Sequence, residues 1–201
     1  MPKPIRTAVA DDEAEMRSYL KETLELLGHT VPVVAATGPE LVKGCRDHIG
    51  TIDLIVTDIK MPELDGLEAS RLACQDHAIP IILVSAYNDT ELIQRALEER
   101  VMAYLIKPIK QADLETAIAL ALWRFREFEA LQEQASTLQQ ALKDRKLIEQ
   151  AKGILMQRAG LDEPDAFRRL QKLSSEKNQK LVEIARVIVT AEEAFHVDDN
   201  K

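Results

Sequence analysis

The first 110 residues of this 201-residue chain alternate short apolar runs with segments of helical period, and that alternation limits the fold more than any other feature. The runs Ile5 to Ala10, Val31 to Ala36, Leu54 to Thr57, Ile79 to Val84 and Met102 to Ile106 are mostly rich in Val and Ile. Amphipathic stretches separate them: Glu13 to Leu27, Pro39 to His48, Leu67 to Gln75 and Asp89 to Glu99. Strands that are apolar on both faces need cover on both sides. The pattern therefore predicts an α/β unit with a doubly wound, five-stranded parallel sheet. Ligands of such sheets sit at the carboxyl ends of the strands.

After Lys110 the strand signal stops. Gln111 to Arg158 contains no Pro and only Gly153, which predicts one long helix. Within it Phe128, Leu131, Ala135, Leu138 and Leu142 recur at steps of three and four, a seam of coiled-coil type that suits either a second copy or packing within one chain. Gly160 and Pro164 mark a break, with Asp162 or Glu163 as the next cap. Ala166 to Leu173 and Leu181 to Ala194 complete a small three-helix tail, with Ser174 to Asn178 as the turn. Gly153 lies mid-helix at a cost of about 1 kcal/mol relative to Ala, which suggests close approach by another backbone or a ligand.

Charge divides the chain in the same way. The net charge is −8, yet Lys143 to Arg186 holds eleven Lys and Arg against seven acids, so this stretch carries +4 and the remainder −12. The basic part is the candidate for a polyanion, the plain alternative being a solvated helical surface. Cys45 and Cys74 have no second CxxC or His cluster nearby and are expected as buried, reduced thiols. The longest apolar stretch, Ala117 to Trp123, is seven residues, and Asp11 and Asp12 interrupt the first apolar run before a signal peptide could form. A soluble, cytoplasmic protein without membrane association is the expectation.

Asp11 and Asp12 end the first predicted strand and Asp58 the third. With the second strand at the sheet edge, strands one and three are neighbours and three carboxylates converge. Their repulsion is relieved by a hard divalent cation, and Mg²⁺ suits one or two carboxylates, a carbonyl, water and a phosphoryl group. Ser85 ends the fourth strand, and Lys107 the fifth, followed by Pro108, which fits a special turn of the kind a cis bond makes. A hydroxyl and an ammonium there suit a phosphorylated carboxylate, with Asp58 as nucleophile.

Asp11-Asp12, Asp58 with Met61-Pro62-Glu63-Leu64-Asp65-Gly66, Ser85-Ala86, Tyr104 and Lys107-Pro108 together resemble the receiver domain of two-component response regulators, over about residues 4 to 122. The resemblance implies a flavodoxin-like fold and phosphorylation of Asp58 by a sensor histidine kinase. It also implies Mg²⁺ bound by Asp12 directly, by Asp11 through water, by Asp58 and by the Lys60 carbonyl. Ser85, Ala86, Tyr104 and Lys107 become the phosphoryl-binding and switch residues, with Ser standing where Thr is commoner. Phosphatases of the haloacid-dehalogenase type share the Asp, Mg²⁺, Ser and Lys set, but they need an acid two residues after the nucleophile. Here that position is Lys60, so no enzyme beyond phosphotransfer at Asp58 is expected.

In the tail, Ala151-Lys152-Gly153-Ile154-Leu155-Met156, preceded by Arg145 and followed by Asp165-Ala166-Phe167, resembles the ANTAR domain, the RNA-binding output module of antitermination regulators. This resemblance implies RNA stem-loops as the target, bound by a homodimer, with Arg145, Lys152, Met156 and Arg169 as candidate contacts. The expected organisation is a receiver over 1–122, a helical connector over 123–134 and an ANTAR domain over 135–195. The alternatives are a DNA-binding or a protein-interaction output. Against the former, the last helix carries Glu183, Glu192 and Glu193 and is too apolar and acidic to read bases.

Overall fold

A computed structural model of the chain describes residues 3–75, 77–86 and 101–196. The predicted helix Asp89 to Glu99 lies outside them. Two compact units are present, 1–129 and 130–201.

The first unit contains five strands, β1 (Arg6–Ala10), β2 (Thr30–Ala35), β3 (Leu54–Asp58), β4 (Ile81–Ser85) and β5 (Val101–Ile106). All pairings are parallel, in the order β2-β1-β3-β4-β5. The residue types explain this order. β3 and β4 are buried throughout, as central strands covered on both faces must be, whereas β2 and β5 are only partly buried. Pro32, which has no N–H for a ladder, falls in the edge strand β2, where the register against β1 shifts between Arg6 and Ala8.

Among the described residues, three helices, α1 (Ala14–Leu26), α2 (Gly38–Asp47) and α3 (Gly66–Ala73), alternate with the strands. A fourth, α4 (Gln111–Ala159), starts in this unit and continues into the second. Alternate strand residues feed two cores. Ala8, Ala10, Ile55, Ile81 and Leu83 pack with Leu41 and Val42 of α2 and Leu67 of α3. Val9, Leu54, Val56, Ile82 and Val84 pack with Leu20 and Leu24 of α1 and Leu114, Ala117, Ile118 and Ala121 of α4. Cys45 and Cys74 are buried, reduced thiols, and burial, with Cys74 adding to it, pushes the Cys45 thiol up to about 12.

In the second unit, α4 is followed by α5 (Glu163–Lys177) and α6 (Leu181–His196). Asp162 caps α5 by accepting from the Asp165 amide at 2.8 Å, and Pro164 sits in the first turn. The expected turn over Ser174 to Asn178 is instead the last helical turn of α5. Ser174 turns its hydroxyl to the Gln179 carbonyl at 2.6 Å, and Asn178 closes the helix in the left-handed region at φ 50°. Ala151, Leu170, Ile184 and Ala185 form the core, joined by Ile148 and Leu155 on the inward face of α4. The seam residues Leu131, Leu138 and Leu142 are 65%, 66% and 67% exposed, so they do not pack against the described residues of their own chain.

Candidate functional site

β1 and β3 are neighbours, so Asp11, directly after β1, and Asp58, the last residue of β3, stand side by side at the carboxyl end of the sheet. Suitable oxygens of Asp11, Asp12, Glu13 and Asp58 all lie within 4.8 Å of one another. Asp11 and Asp58 are buried, while Asp12 and Glu13 are exposed. Glu13 is the member not assigned from the sequence, although the unbroken Asp11-Asp12-Glu13 acid run was the available signal.

Facing these four carboxylates is Lys107. Its Nζ lies 3.0 Å from Asp11 Oδ2, 3.0 Å from Asp58 Oδ2 and 3.1 Å from Glu13 Oε1, with its side chain only 10% exposed. Burial pulls its pKa down, but its contacts with Asp11, Asp58 and Glu13 outweigh burial and hold the ammonium above the ordinary lysine range. Burial raises the pKa of Asp11, with Asp58 adding to it and Lys107 opposing.

Backbone groups fix the carboxylates. Asp58 Oδ1 accepts from the Ile59 amide at 2.6 Å and the Lys60 amide at 3.4 Å, and Asp11 Oδ1 accepts from the Glu13 amide at 2.9 Å. Arg17 on α1 donates through one Nη to the carbonyls of Asp11 at 2.7 Å and Asp12 at 3.1 Å. The loop after Asp58 returns through Glu63, at φ 68°, to Gly66, where a Cβ would stand 1.8 Å from the Asp58 carbonyl oxygen. Only glycine fits there.

Ser85, buried at the end of β4, accepts at its carbonyl from the Lys107 amide at 2.8 Å, and exposed Ala86 follows it. The Lys107–Pro108 bond is cis, and Tyr19 of α1 donates to the Ile109 carbonyl at 2.8 Å. Tyr104, on edge strand β5, is half-buried against the core on the α2–α3 side. Lys60 is exposed.

The residues present fit a hard divalent ion. Four carboxylates outnumber one ammonium, and buried Asp11 Oδ2 makes the ion contact with Lys107 without a directed hydrogen bond. Asp12 and Glu13, both exposed, add oxygen donors open to water.

In the second unit, Arg145, Lys152 and Met156 lie along one stripe of α4, at spacings of seven and four. Arg145 and Met156 are exposed, as is Arg169 on α5. Lys152 is nearly covered, its ammonium bound by Glu149 and Glu163. No side chain or neighbouring backbone among the described residues lies within 4 Å of where a Cβ of Gly153 would stand. The close approach expected at Gly153 is therefore not made by the described residues.

Residues 7–119 match the response regulator receiver domain family, and residues 136–189 match the ANTAR domain family. Transcriptional regulatory protein PdtaR of Mycobacterium tuberculosis is 37% identical over 186 residues, covering 92% of this chain and 90% of that protein. The chain is a response regulator with a receiver and an ANTAR domain. Among solved structures, a response regulator receiver domain protein of Clostridium thermocellum is 28% identical, with a TM-score of 0.56 over 62% of this chain and 98% of its own. The CheX–CheY–BeF3–Mg²⁺ complex of Borrelia burgdorferi contains a chain that is 25% identical, with a TM-score of 0.54 over 57% of this chain and 87% of that one.

As a receiver, the first unit has a phosphoacceptor fold, and receivers bind Mg²⁺ at the acidic pocket that Asp11, Asp12, Glu13 and Asp58 form here. A receiver implies a kinase as phosphodonor. The ANTAR domain makes the chain a regulator that binds RNA for antitermination. No helix among the described residues is long and apolar enough to cross a membrane.

Proposed function

We propose that Asp58 is the phosphoacceptor, with Mg²⁺ held by Asp11, Asp12, Asp58 and the Lys60 carbonyl, and that phosphorylation brings two chains together on RNA stem-loops. The observation that carries this reading is the contact of Asp58 Oδ2 with Lys107 Nζ, 3.0 Å apart within a set of four carboxylates. The Asp58 carboxylate attacks phosphorus on a phosphohistidine of the sensor kinase. An O–P bond forms as the P–N bond breaks, and the imidazole leaves with the electron pair and takes up a proton. Lys107 neutralises the incoming phosphoryl oxygens and the Ser85 hydroxyl donates to one of them. Bound Mg²⁺ supplies further neutralisation of that charge, and the related Borrelia complex contains both BeF3 and Mg²⁺. Self-phosphotransfer and autodephosphorylation at Asp58 are the only chemistry assigned to the chain.

Ser85 and Tyr104 form the switch pair. The Ser85 hydroxyl moves toward the phosphoryl group, and the half-buried Tyr104 ring follows into the space left behind. The output is a homodimer that closes along the exposed seam of Leu131, Leu138 and Leu142, so that two basic modules act together and gain avidity without any new contact. Arg145, Lys152, Met156 and Arg169 are the proposed RNA contacts. The working boundaries are 1–122 for the receiver, 123–134 for the connector and 135–195 for the ANTAR domain. Kinase phosphodonor and nascent RNA meet in the cytoplasm, where the reading places the protein.

Treating the full chain with an acyl phosphate and Mg²⁺, then measuring sedimentation and RNA-hairpin affinity, tests this directly. The expected outcome is a shift to dimer and tighter binding, both absent in Asp58→Asn. Unchanged sedimentation and affinity in the treated wild type would refute the coupling.

A further inference from the structure

Lys152 is held in an unusual way for a residue expected to touch RNA. Its Nζ lies 3.0 Å and 2.9 Å from the two carboxylate oxygens of Glu149 and 2.7 Å from Oε1 of Glu163. These contacts match the three donors of an ammonium. The side chain of Lys152 retains 10% exposure, whereas those of Glu149 and Glu163 are 56% and 67% exposed. The cluster as a whole carries one net negative charge within the most basic part of the chain. In this arrangement it repels a phosphate.

Two roles are compatible with such a cluster. It either pins the start of α5 to α4, or it keeps a cation occupied until a stronger anion arrives. The start of α5 is already fixed without Lys152. Asp162 caps it, and Ala151, Ala166 and Leu170 are completely buried behind it. The two carboxylates stand mostly in water, so turning them outward buries no charge, and an arriving phosphate takes over the ion pair that the covered Lys152 ammonium gives up. One residue further along, Gly153 leaves open space beside its backbone, and exposed Arg145 and Met156 continue the stripe on either side. A backbone that leaves room next to a hidden ammonium is suited to a phosphodiester arriving at close range.

We propose that Glu149 and Glu163 are resident competitors for Lys152: they occupy its ammonium in the RNA-free protein, and an RNA phosphate displaces them as it seats beside Gly153. This rests on the assignment of Lys152 as an RNA contact and adds how that contact is regulated. The competition sets a threshold. A polyanion that reaches only the exposed cations does not open the cluster, whereas an RNA shaped to approach Gly153 gains the Lys152 contact as well.

The test uses the full chain and a pool of RNA hairpins with randomised loops, with Kd measured over a salt series. Glu163→Gln and Glu149→Gln are each expected to bind on the order of threefold to tenfold tighter at low salt, an advantage that fades as salt screens it. Glu176→Gln, which removes an equally exposed acid elsewhere on α5, reports the general effect of charge and is expected to change affinity less. Lys152→Met is expected to weaken binding and to abolish the gain from Glu163→Gln when the two are combined. Circular dichroism melts of every variant identify any that fail to fold, and a gain in affinity cannot come from an unfolded module. If Lys152→Met weakens binding but Glu163→Gln leaves it unchanged or weaker, the carboxylates are structural pins and the competition is wrong. If folded Lys152→Met binds as tightly as wild type, the contact assignment itself fails.

Discussion

Lys107 meets Asp58 at 3.0 Å through Oδ2, while Oδ1 of the same carboxylate is taken by the amides of Ile59 and Lys60. The same ammonium also balances Asp11 at 3.0 Å. Removing it leaves two buried carboxylates without their cation. Lys107→Met is therefore expected to lower stability in chelator by about 2 kcal/mol, less than for a fully enclosed pair because Asp12 and Glu13 stand open to water. Millimolar Mg²⁺ should restore most of that loss. Denaturant titrations with and without Mg²⁺ check this, and equal losses under both conditions would contradict it.

Arg17 touches no proposed ligand oxygen, yet it holds the Asp11 and Asp12 carbonyls and so sets the course of the chain that carries both carboxylates. Groups that orient metal ligands are commonly worth 10- to 100-fold in affinity. Arg17→Ala is expected to weaken Mg²⁺ binding by roughly tenfold in calorimetric titration. Arg17→Lys, which keeps one charged donor, should recover part of it.

Gly66 is the first residue of α3, where helix propensity alone favours alanine, by less than the ~1 kcal/mol of a helix interior. A Cβ 1.8 Å from the Asp58 carbonyl oxygen reverses that sign, because the neighbour is backbone and has no rotamer through which to yield. Gly66→Ala is expected to destabilise the receiver by roughly 2 kcal/mol. It should also slow phosphorylation by small acyl phosphates. Thermal melts and a phosphorylation time course measure both.

His29 is buried, and its Nδ1 accepts from the Ile5 amide at 3.4 Å. Burial lowers its pKa from the usual 6.5, with Glu115 on α4 opposing. The folded chain thus binds fewer protons at His29 than the unfolded chain just below 6.5. The stability that neutral His29 contributes is complete above that value and is lost as pH falls through the lower folded pKa. Denaturation midpoints at about pH 7.5 and about pH 5.5 should differ less in His29→Gln, which keeps an acceptor but does not titrate in this range.

Much of this was legible in the residues. Runs such as Leu54 to Thr57 and Ile79 to Val84 declare buried strands, and adjacency of β1 and β3 follows once β2 lies at the edge, so the meeting of Asp11 with Asp58 was foreseeable. Glu13 was harder, because its exposed side chain reaches Lys107 across 94 positions and the acid run it extends also suits a helix start. Ser174 to Asn178 read as a turn, but Ser174 to Lys177 continue α5 and Asn178 is the left-handed residue that ends it. The Lys152 cluster was hidden, since Glu163 lies eleven positions away across the α4–α5 break. Spacing within one helix does not reveal a partner from the next.

The central claim is that Asp58 becomes phosphorylated with Mg²⁺ held beside it. Incubating the full chain with an acyl phosphate and Mg²⁺, followed by intact mass and peptide mapping after borohydride trapping, tests it most directly. The account predicts one base- and hydroxylamine-labile phosphoryl group on Asp58, dependent on Mg²⁺ and absent from Asp58→Asn. Full labelling of Asp58→Asn, or equal labelling in chelator, would contradict it.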